Sequence, residues 1–351
     1  MPRVRALVYD TFGAAPEVRE VPDPAPGPDG VVVRVEATGL CRSDWHAWAG
    51  HDPGVRLPHV PGHELAGTVH AVGERVRRWR PGDRVTVPFV CACGICELCR
   101  AGEQQVCPHQ TQPGFSHWGS FAELVALDAA DVNLVGLPDD LAADAAAGLG
   151  CRVATAFRAV LDQGRARPGE WVAVHGCGGV GLSAVMIAVA AGARVVAVDV
   201  DRAAMDLAGR LGAETVVDAS TTPRTAEAVR EATGGGAHVS LDAVGSPAAA
   251  AASVAGLRPR GRHVQVGLLP VGGGRTALPM HLVVAHELEL LGSHGMPAQD
   301  YPRLLAMVAA GRLRPDLLVT TRLGLREAGP ALASLDTPGH PAGISVVDPR
   351  R

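Results

Sequence analysis

The sequence predicts an α/β protein in which a β-rich domain accompanies a domain built on a doubly wound parallel sheet. Before about residue 154, short stretches alternate apolar and polar residues and are broken by glycines, as in irregular antiparallel sheets. After Ala154, short apolar strands alternate with Ala-rich helical stretches, a pattern typical of a parallel sheet with helices on both faces. A glycine-rich loop between the first of these strands and its helix supports the same fold class.

The β-rich domain begins with two segments that alternate apolar and polar residues, Val4 to Tyr9 and Val31 to Val35. A turn rich in proline and glycine, Pro22 to Gly30, separates them, so we predict short antiparallel strands. Gly62 to Gly73 predicts a strand that bends at its glycines, and Pro81 to Val87 predicts a turn leading into another strand.

The second domain is predicted from its succession of strands and helices. Leu182 to Ala191 is long enough for a helix, and Ala-rich stretches with helical character separate the later strands. The predicted strands are Trp171–Val174, Arg194–Asp199, Glu214–Asp218, Val239–Val244, His263–Val266 and Leu288–Leu291.

The composition is that of a globular protein without a nucleic-acid partner. A chain of 351 residues is long enough for two domains, and 47% of its residues are hydrophobic and 19% charged. The formal net charge is −4, whereas phosphate binding relies on a concentrated basic surface.

Neither a secretory signal nor a membrane span is predicted. The N-terminal segment lacks an uninterrupted apolar core. The stretch from Trp171 to Ala193 carries no Asp, Glu, Lys or Arg, but four glycines interrupt it in the middle. That arrangement favours a strand, a tight turn and a buried helix over a continuous membrane helix.

A set of metal-binding side chains is predicted around Cys41-Arg-Ser-Asp-Trp-His46 and Gly62-His63-Glu64. These segments bring together a thiolate, a hydroxyl, carboxylates and imidazoles, which a catalytic zinc and its proton path would need. Cys151 is the candidate third ligand, because it lies where the β-rich segment passes into the second domain. Taken singly, a cysteine is more often a small buried apolar residue, and a histidine a hydrogen-bonded core residue.

A second metal site is predicted from four cysteines at the spacing Cys93-x2-Cys96-x2-Cys99-x7-Cys107. Four thiolates on a short segment can close a tetrahedral zinc shell with no open position, which makes a structural site. An iron–sulfur cluster is the alternative, but that pattern usually places the last cysteine after three residues rather than seven. Unligated thiols remain a further alternative. The other two cysteines, Cys91 and Cys177, are assigned no role.

The glycine loop Gly176-Cys177-Gly178-Gly179-Val180-Gly181 predicts a dinucleotide site, because it follows a predicted strand and opens a predicted helix. Asp199 ends the next strand, where its carboxylate can accept hydrogen bonds from the adenosine ribose and repel a 2′-phosphate. NAD is therefore favoured over NADP. The preference for NAD is weaker if the nearby Arg202 binds a phosphate. Alternatively, Arg202 is a solvated residue in the first turn of a helix.

In combination, these motifs resemble the medium-chain dehydrogenase/reductase superfamily, specifically its zinc-containing alcohol dehydrogenases. Gly62-His63-Glu64-x2-Gly67-x5-Gly73-x2-Val76 matches the family's zinc signature, and the remaining motifs follow in the family's order over essentially the whole chain. The resemblance implies a GroES-like β-barrel catalytic domain over residues 1–153 and 292–351, with a structural zinc lobe at 91–108. It also implies a Rossmann NAD-binding domain over residues 154–291.

The resemblance further implies a role for each residue near the metal. Cys41, His63 and Cys151 would bind the catalytic zinc and leave its fourth position for water or substrate, while Cys93, Cys96, Cys99 and Cys107 would bind the structural zinc. Four further residues would assist: Asp44 would orient His63, Glu64 would sit behind the metal, Ser43 would take the proton of the alcohol, and His46 would pass it to solvent.

Contacts with cofactor and substrate are also implied by the resemblance. Besides the glycine loop, Asp199 and Arg202, the cofactor site would include Thr155, Val266 and Leu268. Trp45, Trp48, Phe89 and Leu268 would lie near the bound alcohol, with Phe115 to Trp118 as an additional wall. Each of these apolar side chains could equally pack the core. One departure is Ile344, which stands where relatives commonly carry an arginine that contacts the cofactor pyrophosphate.

The sequence thus predicts an NAD-dependent zinc alcohol dehydrogenase with two zinc ions per chain. It would interconvert a primary or secondary alcohol with its aldehyde or ketone, as a cytoplasmic homo-oligomer, either dimer or tetramer, with no membrane partner. A polyol or formaldehyde-type dehydrogenase of the same fold is one alternative, although polyol relatives commonly replace the third cysteine by a carboxylate. A non-catalytic zinc–thiolate binding protein is the other, and it leaves Ser43, His46 and Asp199 without a purpose.

Overall fold

The computed structural model of the protein describes residues 3–269, 275–337 and 341–351. These residues fall into two compact units. The first unit lies within Met1–Ala154, Gly295–Ala306 and Pro315–Arg351, and the second within Thr155–His294 and Met307–Arg314. We predicted residues 1–153 and 292–351 in the first domain, whereas Ala154 also groups with the first unit and residues 292–294 and Met307–Arg314 group with the second.

The strands and helices are numbered in chain order. The strands are β1 Arg3–Val8, β2 Glu17–Pro22, β3 Val31–Leu40, β4 Glu64–Val72, β5 Arg84–Thr86, β6 Leu124–Leu127, β7 Val135–Gly136, β8 Trp171–His175, β9 Arg194–Asp199, β10 Thr215–Asp218, β11 Ala237–Asp242, β12 Leu257–Gln265, β13 Glu289–Gly292, β14 Val319–Gly324 and β15 Ile344–Asp348. The α-helices are α1 Arg42–Trp48, α2 Glu97–Arg100, α3 Ala130–Asn133, α4 Ala143–Ala147, α5 Arg152–Phe157, α6 Gly179–Ala190, α7 Arg202–Arg210, α8 Thr225–Ala232, α9 Pro247–Ala255, α10 Met280–Ala285, α11 Tyr301–Ala309 and α12 Leu325–Ala333.

The first unit is built on a seven-stranded sheet in the order β14-β15-β3-β4-β5-β7, with β6 also paired to β3. Strands β1 and β2 form a separate antiparallel pair. The two N-terminal segments predicted as antiparallel strands therefore do not pair with each other, since β1 pairs with β2 and β3 pairs with β4. Strand β2 was missed because Glu17-Val-Arg-Glu-Val-Pro22 is charged and ends in proline, which is typical of edge strands.

The pairing of β3 with β4 positions the predicted metal ligands. The valines at 31, 33 and 35 are fully buried and pack with Leu65 and Val69 in one apolar cluster, which fixes the register of the two strands. In that register Gly39 pairs with Glu64. Cys41, which follows the end of β3, and His63, which precedes β4, are therefore neighbours.

The second unit confirms the predicted parallel sheet. Its six strands are all parallel, in the order β10-β9-β8-β11-β12-β13. The consecutive residues Val172, Ala173 and Val174 are each fully buried. Because successive side chains point to opposite faces of a strand, both faces of this sheet are covered. The strand order reverses between β8 and β11, the position at which such sheets bind ligands beyond their carboxyl ends.

The uncharged stretch from Trp171 to Ala193 consists of β8, a glycine loop and the 12-residue helix α6. Over residues 3–269, 275–337 and 341–351, no helix is long and apolar enough to cross a bilayer. Gly176 has a φ of +89°, in the left-handed region that favours glycine, and the chain turns there from the strand toward the helix.

His175, the last residue of β8, is an unusual buried imidazole. It is 2% exposed, and its Nε2 has no hydrogen-bond partner within the described part of the chain. Burial, with a smaller contribution from the nearby His263, lowers the pKa of His175 to about 3. The imidazole is therefore neutral in the folded protein at physiological pH.

We expect His175 to make the protein less stable as pH falls from about 6.5 toward about 3, because the unfolded chain binds a proton in that range that the folded chain does not. One such proton corresponds to about 1.4 kcal/mol of unfolding free energy per pH unit. His175→Gln should reduce the pH dependence of the urea unfolding midpoint, measured by circular dichroism between about pH 7.5 and about pH 5.

The matched control is His281→Gln, because His281 is exposed on α10. That variant should keep the pH dependence of the parent protein. The explanation fails if His175→Gln and the parent lose stability equally over the same range.

Candidate metal centre and nucleotide loop

Four potential metal donors meet inside the first unit. Cys41 precedes α1, His63 precedes β4, Glu64 is the first residue of β4, and Cys151 precedes α5. One ligand atom from each of these four residues lies within 4.8 Å of the others, and all four residues are buried. The structure therefore brings together the three predicted ligands, although they are far apart in sequence.

Asp44 connects the segments that carry these donors. Its side chain is fully buried, and Oδ1 accepts hydrogen bonds from His63 Nδ1 at 2.8 Å and from the backbone N–H of Gly62 at 3.0 Å. Oδ2 accepts from the backbone N–H of Cys41 at 3.0 Å. Because a carboxylate only accepts, Nδ1 of His63 carries a proton, which leaves Nε2 as the nitrogen available to a metal.

The donor set fits a zinc ion. Nε2 of His63 is buried and has no hydrogen-bond partner among the residues that the structure describes. The neighbouring Cys151 and His63 side chains keep the pKa of Cys41 well below its usual range, against the effect of burial. A site that favours thiolate beside an imidazole held through Nδ1 suits zinc, whose preferred ligands are sulfur and nitrogen.

Arg152 holds Glu64 in a buried ion pair, which sequence reasoning did not anticipate. Nε of Arg152 lies 2.9 Å from each carboxylate oxygen, Nη2 also contacts Oε2, and the backbone N–H donates to Oε1 at 3.0 Å. Nη1 donates to the carbonyl of Leu40 at 3.1 Å. The available signal was a single arginine within the apolar segment Leu149 to Ala154.

Helix α1 carries the predicted proton path. Ser43 is half-buried in its first turn, and His46 lies one turn later. His46 Nδ1 lies 3.0 Å from Nδ1 of His51, a second residue that sequence reasoning missed, although it follows His46 by only five positions. Burial, together with the charges of His51 and Arg42, lowers the pKa of His46. His46 and His51 thus form a hydrogen-bonded pair beside the helix.

Two phenylalanines border the metal centre. The ring of Phe115 lies 5.2 Å from the ring of His63, and the ring of Phe89 lies 6.2 Å from it. Phe89 is one of the predicted pocket residues, and its backbone N–H donates to the carbonyl of Gly150, next to Cys151.

The two predicted pocket tryptophans have other neighbours. The ring of Trp45 lies 5.0 Å from that of His46 and 5.4 Å from that of His51. Trp48 packs against two core clusters and donates from Nε1 to the carbonyl of Ala14 at 2.7 Å. The contacts of Trp48 are thus those of a core side chain. Trp118 is 40% exposed and donates to the carbonyl of Pro58.

The four-cysteine segment forms a second cluster in the first unit. The sulfurs of Cys93, Cys96, Cys99 and Cys107 all lie within 4.8 Å of one another. Backbone N–H groups point at these sulfurs, including that of Cys99 toward Cys96 at 3.4 Å and that of His109 toward Cys107 at 3.4 Å. Four sulfurs at mutual contact, with N–H donors that favour thiolate, fit a closed tetrahedral zinc site.

The glycine loop of the second unit leaves room for a ligand. Helix α6 begins at Gly179, and its N-cap residue, Gly178, has no side chain with which to cap it. The first N–H groups, at Gly179, Val180 and Gly181, therefore lie at an uncapped helix N-terminus. A Cβ added to Gly178 would meet nothing within 4 Å, whereas Gly181 packs directly on the carbonyl of Gly176. This open, electropositive end suits a pyrophosphate.

Asp199 lies at the end of β9 beside this loop. Oδ1 accepts from the backbone N–H groups of Val200 at 2.7 Å and Asp201 at 2.9 Å, and Oδ2 accepts from the backbone N–H of Cys177. Asp199 therefore ties the strand end to the loop. Arg202 begins α7, is 83% exposed, and pairs with Asp206 at 3.0 Å, so its contacts are those of a solvated residue.

The remaining predicted cofactor residues differ in exposure. Thr155 is buried and its hydroxyl has no partner in the described ranges, while Val266 is half-buried and Leu268 is 76% exposed. Ile344, the departure from the family pattern, is buried in β15 beside Gly148.

Comparison with known proteins identifies the family. Residues 27–139 match the model of the alcohol dehydrogenase GroES-like domain, and residues 179–310 match that of zinc-binding dehydrogenases. An alcohol dehydrogenase from Rhizobium meliloti (strain 1021) is 39% identical over 312 residues, which cover 88% of this chain and 89% of the relative. An alcohol dehydrogenase from Geobacillus stearothermophilus is 35% identical over 313 residues, covering 89% and 90%.

Solved structures give the same result over nearly the whole chain. A structure described as an NAD-dependent alcohol dehydrogenase has a TM-score of 0.88 at 33% identity, covering 98% of this chain and 99% of that one. A zinc-binding dehydrogenase from Sinorhizobium meliloti 1021 bound to NADP has 0.88 at 29% identity, covering 99% and 100%. A cobalt- and zinc-bound thermostable alcohol dehydrogenase from Pyrobaculum aerophilum has 0.86 at 28% identity, covering 99% and 100%.

These matches confirm the predicted fold, a GroES-like domain with a Rossmann-type parallel sheet, and the resemblance read from the motifs. The chain belongs to the zinc-containing alcohol dehydrogenases of the medium-chain dehydrogenase/reductase superfamily.

Proposed function

We propose that this protein is an NAD-dependent alcohol dehydrogenase that transfers a hydride between a primary or secondary alcohol and NAD, and in reverse reduces an aldehyde or ketone. The observation that carries the proposal is the buried donor set of Cys41, His63 and Cys151, in which Nε2 of His63 lacks a protein partner within the described residues. Family membership supports alcohol dehydrogenase activity in general, and the donor set supports a zinc-dependent reaction.

Two zinc ions per chain are proposed. Cys41, His63 and Cys151 would hold the catalytic ion, and the four sulfurs from Cys93 to Cys107 would hold the structural ion. When bound, a catalytic zinc supplies a Lewis acid that makes a hydroxyl group more acidic. Asp44 supports the site by fixing the His63 ring through Nδ1.

The proton path is assigned to three residues of this chain. Ser43 would accept the hydroxyl proton, and His46 would receive it from Ser43 and pass it to His51 across their 3.0 Å contact. The lowered pKa of His46 keeps its imidazole neutral near physiological pH, so it can accept a proton.

NAD is the proposed cofactor and supplies the hydride acceptor. Gly176 to Gly181 would receive the pyrophosphate, and the carboxylate of Asp199 would face the adenosine ribose, where it repels a 2′-phosphate. Similar solved structures include one described as NAD-dependent and one bound to NADP, so the choice depends on Asp199 in this chain. Thr155, Val266, Leu268 and Arg202 are the remaining proposed contacts.

The substrate pocket is proposed to be apolar. Phe89 and Phe115 supply this character, because their rings lie beside His63. Trp45, Trp48 and Leu268 stay in the proposal on family resemblance alone. The same resemblance supports a cytoplasmic homo-oligomer.

Cys41→Ser should abolish formation of reduced nicotinamide across a panel of primary and secondary alcohols, read by absorbance. The zinc content should fall from about two ions to about one per chain, because one thiolate ligand is lost. Cys91→Ser is the matched control, since Cys91 is also a buried cysteine but lies outside both donor sets. Turnover that survives in Cys41→Ser would remove Cys41 from the ligand set.

Cys107→Ser should also lower the zinc content by about one ion, but through the four-sulfur cluster. Loss of a closed structural site should cost more than about 2 kcal/mol of stability, or roughly 4–8 °C in the thermal midpoint for a unit of this size. Differential scanning calorimetry beside metal analysis measures both. An unchanged midpoint with full zinc content would show that the four thiols do not bind metal.

Asp199→Gly should raise the ratio of kcat/KM for NADP to that for NAD by about 10-fold to 100-fold, because the repelling carboxylate is gone. Asp199→Asn is the companion variant, since it removes the charge but keeps an oxygen that can accept from Val200 and Asp201. Steady-state kinetics with both cofactors gives the ratio. No change in either variant would mean that the ribose is held by other groups.

A further inference from the structure

We infer that Arg152 is a positioning residue that holds the Glu64 carboxylate away from the metal and so keeps one coordination position free for the alcohol. The inference rests on the proposed function, since it requires zinc on Cys41, His63 and Cys151. Arg152 would thus determine whether the metal site stays open to the alcohol or is closed by a fourth protein ligand.

The donor geometry makes this restraint necessary. A carboxylate oxygen of Glu64 lies within 4.8 Å of donor atoms from Cys41, His63 and Cys151. Carboxylate oxygen is a good zinc ligand, and four protein ligands around zinc give a closed site of the structural kind. A catalytic site needs three protein ligands and one free position. Glu64 must therefore be kept from completing the shell.

Arg152 engages both oxygens of Glu64. Nε lies 2.9 Å from Oε1 and 2.9 Å from Oε2, Nη2 contacts Oε2, and the backbone N–H donates to Oε1. The planar guanidinium matches a carboxylate in this two-point manner, which the single ammonium of lysine cannot reproduce. Each oxygen that would turn toward the metal must first leave a charge-assisted hydrogen bond.

The pair is also held in place by its surroundings. The side chains of Arg152 and Glu64 are 6% and 0% exposed, so water does not compete for their hydrogen bonds. Nη1 of Arg152 is anchored on the carbonyl of Leu40, at the end of β3. Opposite the pair, a Cβ added to Gly39 would lie 2.6 Å from Nη2 of Arg152, so only glycine leaves space for the guanidinium.

The test measures access to the metal rather than turnover. Each variant is purified with Co²⁺ in place of zinc, and imidazole is titrated while the visible absorption bands of Co²⁺ are followed. The four-sulfur cluster contributes the same background to every variant, because none of the substitutions touches it. Imidazole reports the free position, since it must bind the metal directly.

In Arg152→Met, we expect imidazole to bind at least about tenfold more weakly, because the released Glu64 occupies the free position. In the double variant Arg152→Met with Glu64→Gln, imidazole affinity should return to within about twofold of the parent. Arg152→Lys retains the charge but not the two-point contact, so its imidazole affinity should lie between those of the parent and Arg152→Met. If Arg152→Met does not fold, Arg152→Lys takes its place in the test.

The matched control is Arg262→Met, which breaks another arginine–carboxylate pair. Nη2 of Arg262 lies 2.7 Å from both oxygens of Glu170 in the second unit, with side chains 11% and 20% exposed. Its imidazole affinity should equal that of the parent.

Three outcomes would overturn the inference. Parent-like imidazole binding in both Arg152→Met and Arg152→Lys would show that Glu64 does not compete for the metal. Weak binding that Glu64→Gln fails to restore would show that Arg152 supports the site in general rather than through Glu64. If the parent itself bound Co²⁺ only at the four-sulfur cluster and did not respond to imidazole, the proposed function would fail as well.

Discussion

The buried carboxylate of Asp44 is the contact on which the metal centre depends. It accepts three hydrogen bonds, from the His63 ring and from the backbone at Cys41 and Gly62. A fully buried carboxylate without such donors would be costly, so the three bonds hold together the start of α1 and the segment before β4. These bonds place the Cys41 thiol beside the His63 imidazole. Because Nδ1 is bound to Asp44, Nε2 is the nitrogen that faces the thiol.

The two sulfur-containing centres are built by different means. The four cysteines from Cys93 to Cys107 lie within fifteen residues, so a short segment can form the cluster by itself, with its own backbone N–H groups pointing at sulfur. Cys41 and His63 meet because β3 and β4 pair in one register, and Cys151 is brought to them through its neighbour Arg152, which binds Glu64. The first centre follows from local spacing and the second from the fold of the sheet.

This difference explains which features the sequence could predict. The central parallel strands β8 and β9 appear as apolar runs because both faces of the sheet are buried there, and the glycine loop is recognisable from its place between strand and helix. Strand β2 was not predicted, since half of its residues are charged. Arg152 and His51 were also missed, because their importance comes from partners, Glu64 and His46, that only the folded chain or a helix turn brings into contact. A sequence motif identifies metal ligands by their spacing. An ion pair between distant segments has no characteristic spacing, so the sequence does not predict it.

The hydrogen bonds of Asp199 have a consequence for how dinucleotide preference can change in this lineage. Its two oxygens accept hydrogen bonds from the backbone N–H groups of Cys177, Val200 and Asp201, and in the proposed function the same carboxylate faces the ribose. Under that proposal, cofactor selectivity and the hydrogen bonds that hold the loop depend on one side chain. Exchanging this aspartate for a smaller residue would therefore shift cofactor preference and at the same time leave three amides without their acceptor, so a gain in NADP use would come with a less firmly held loop.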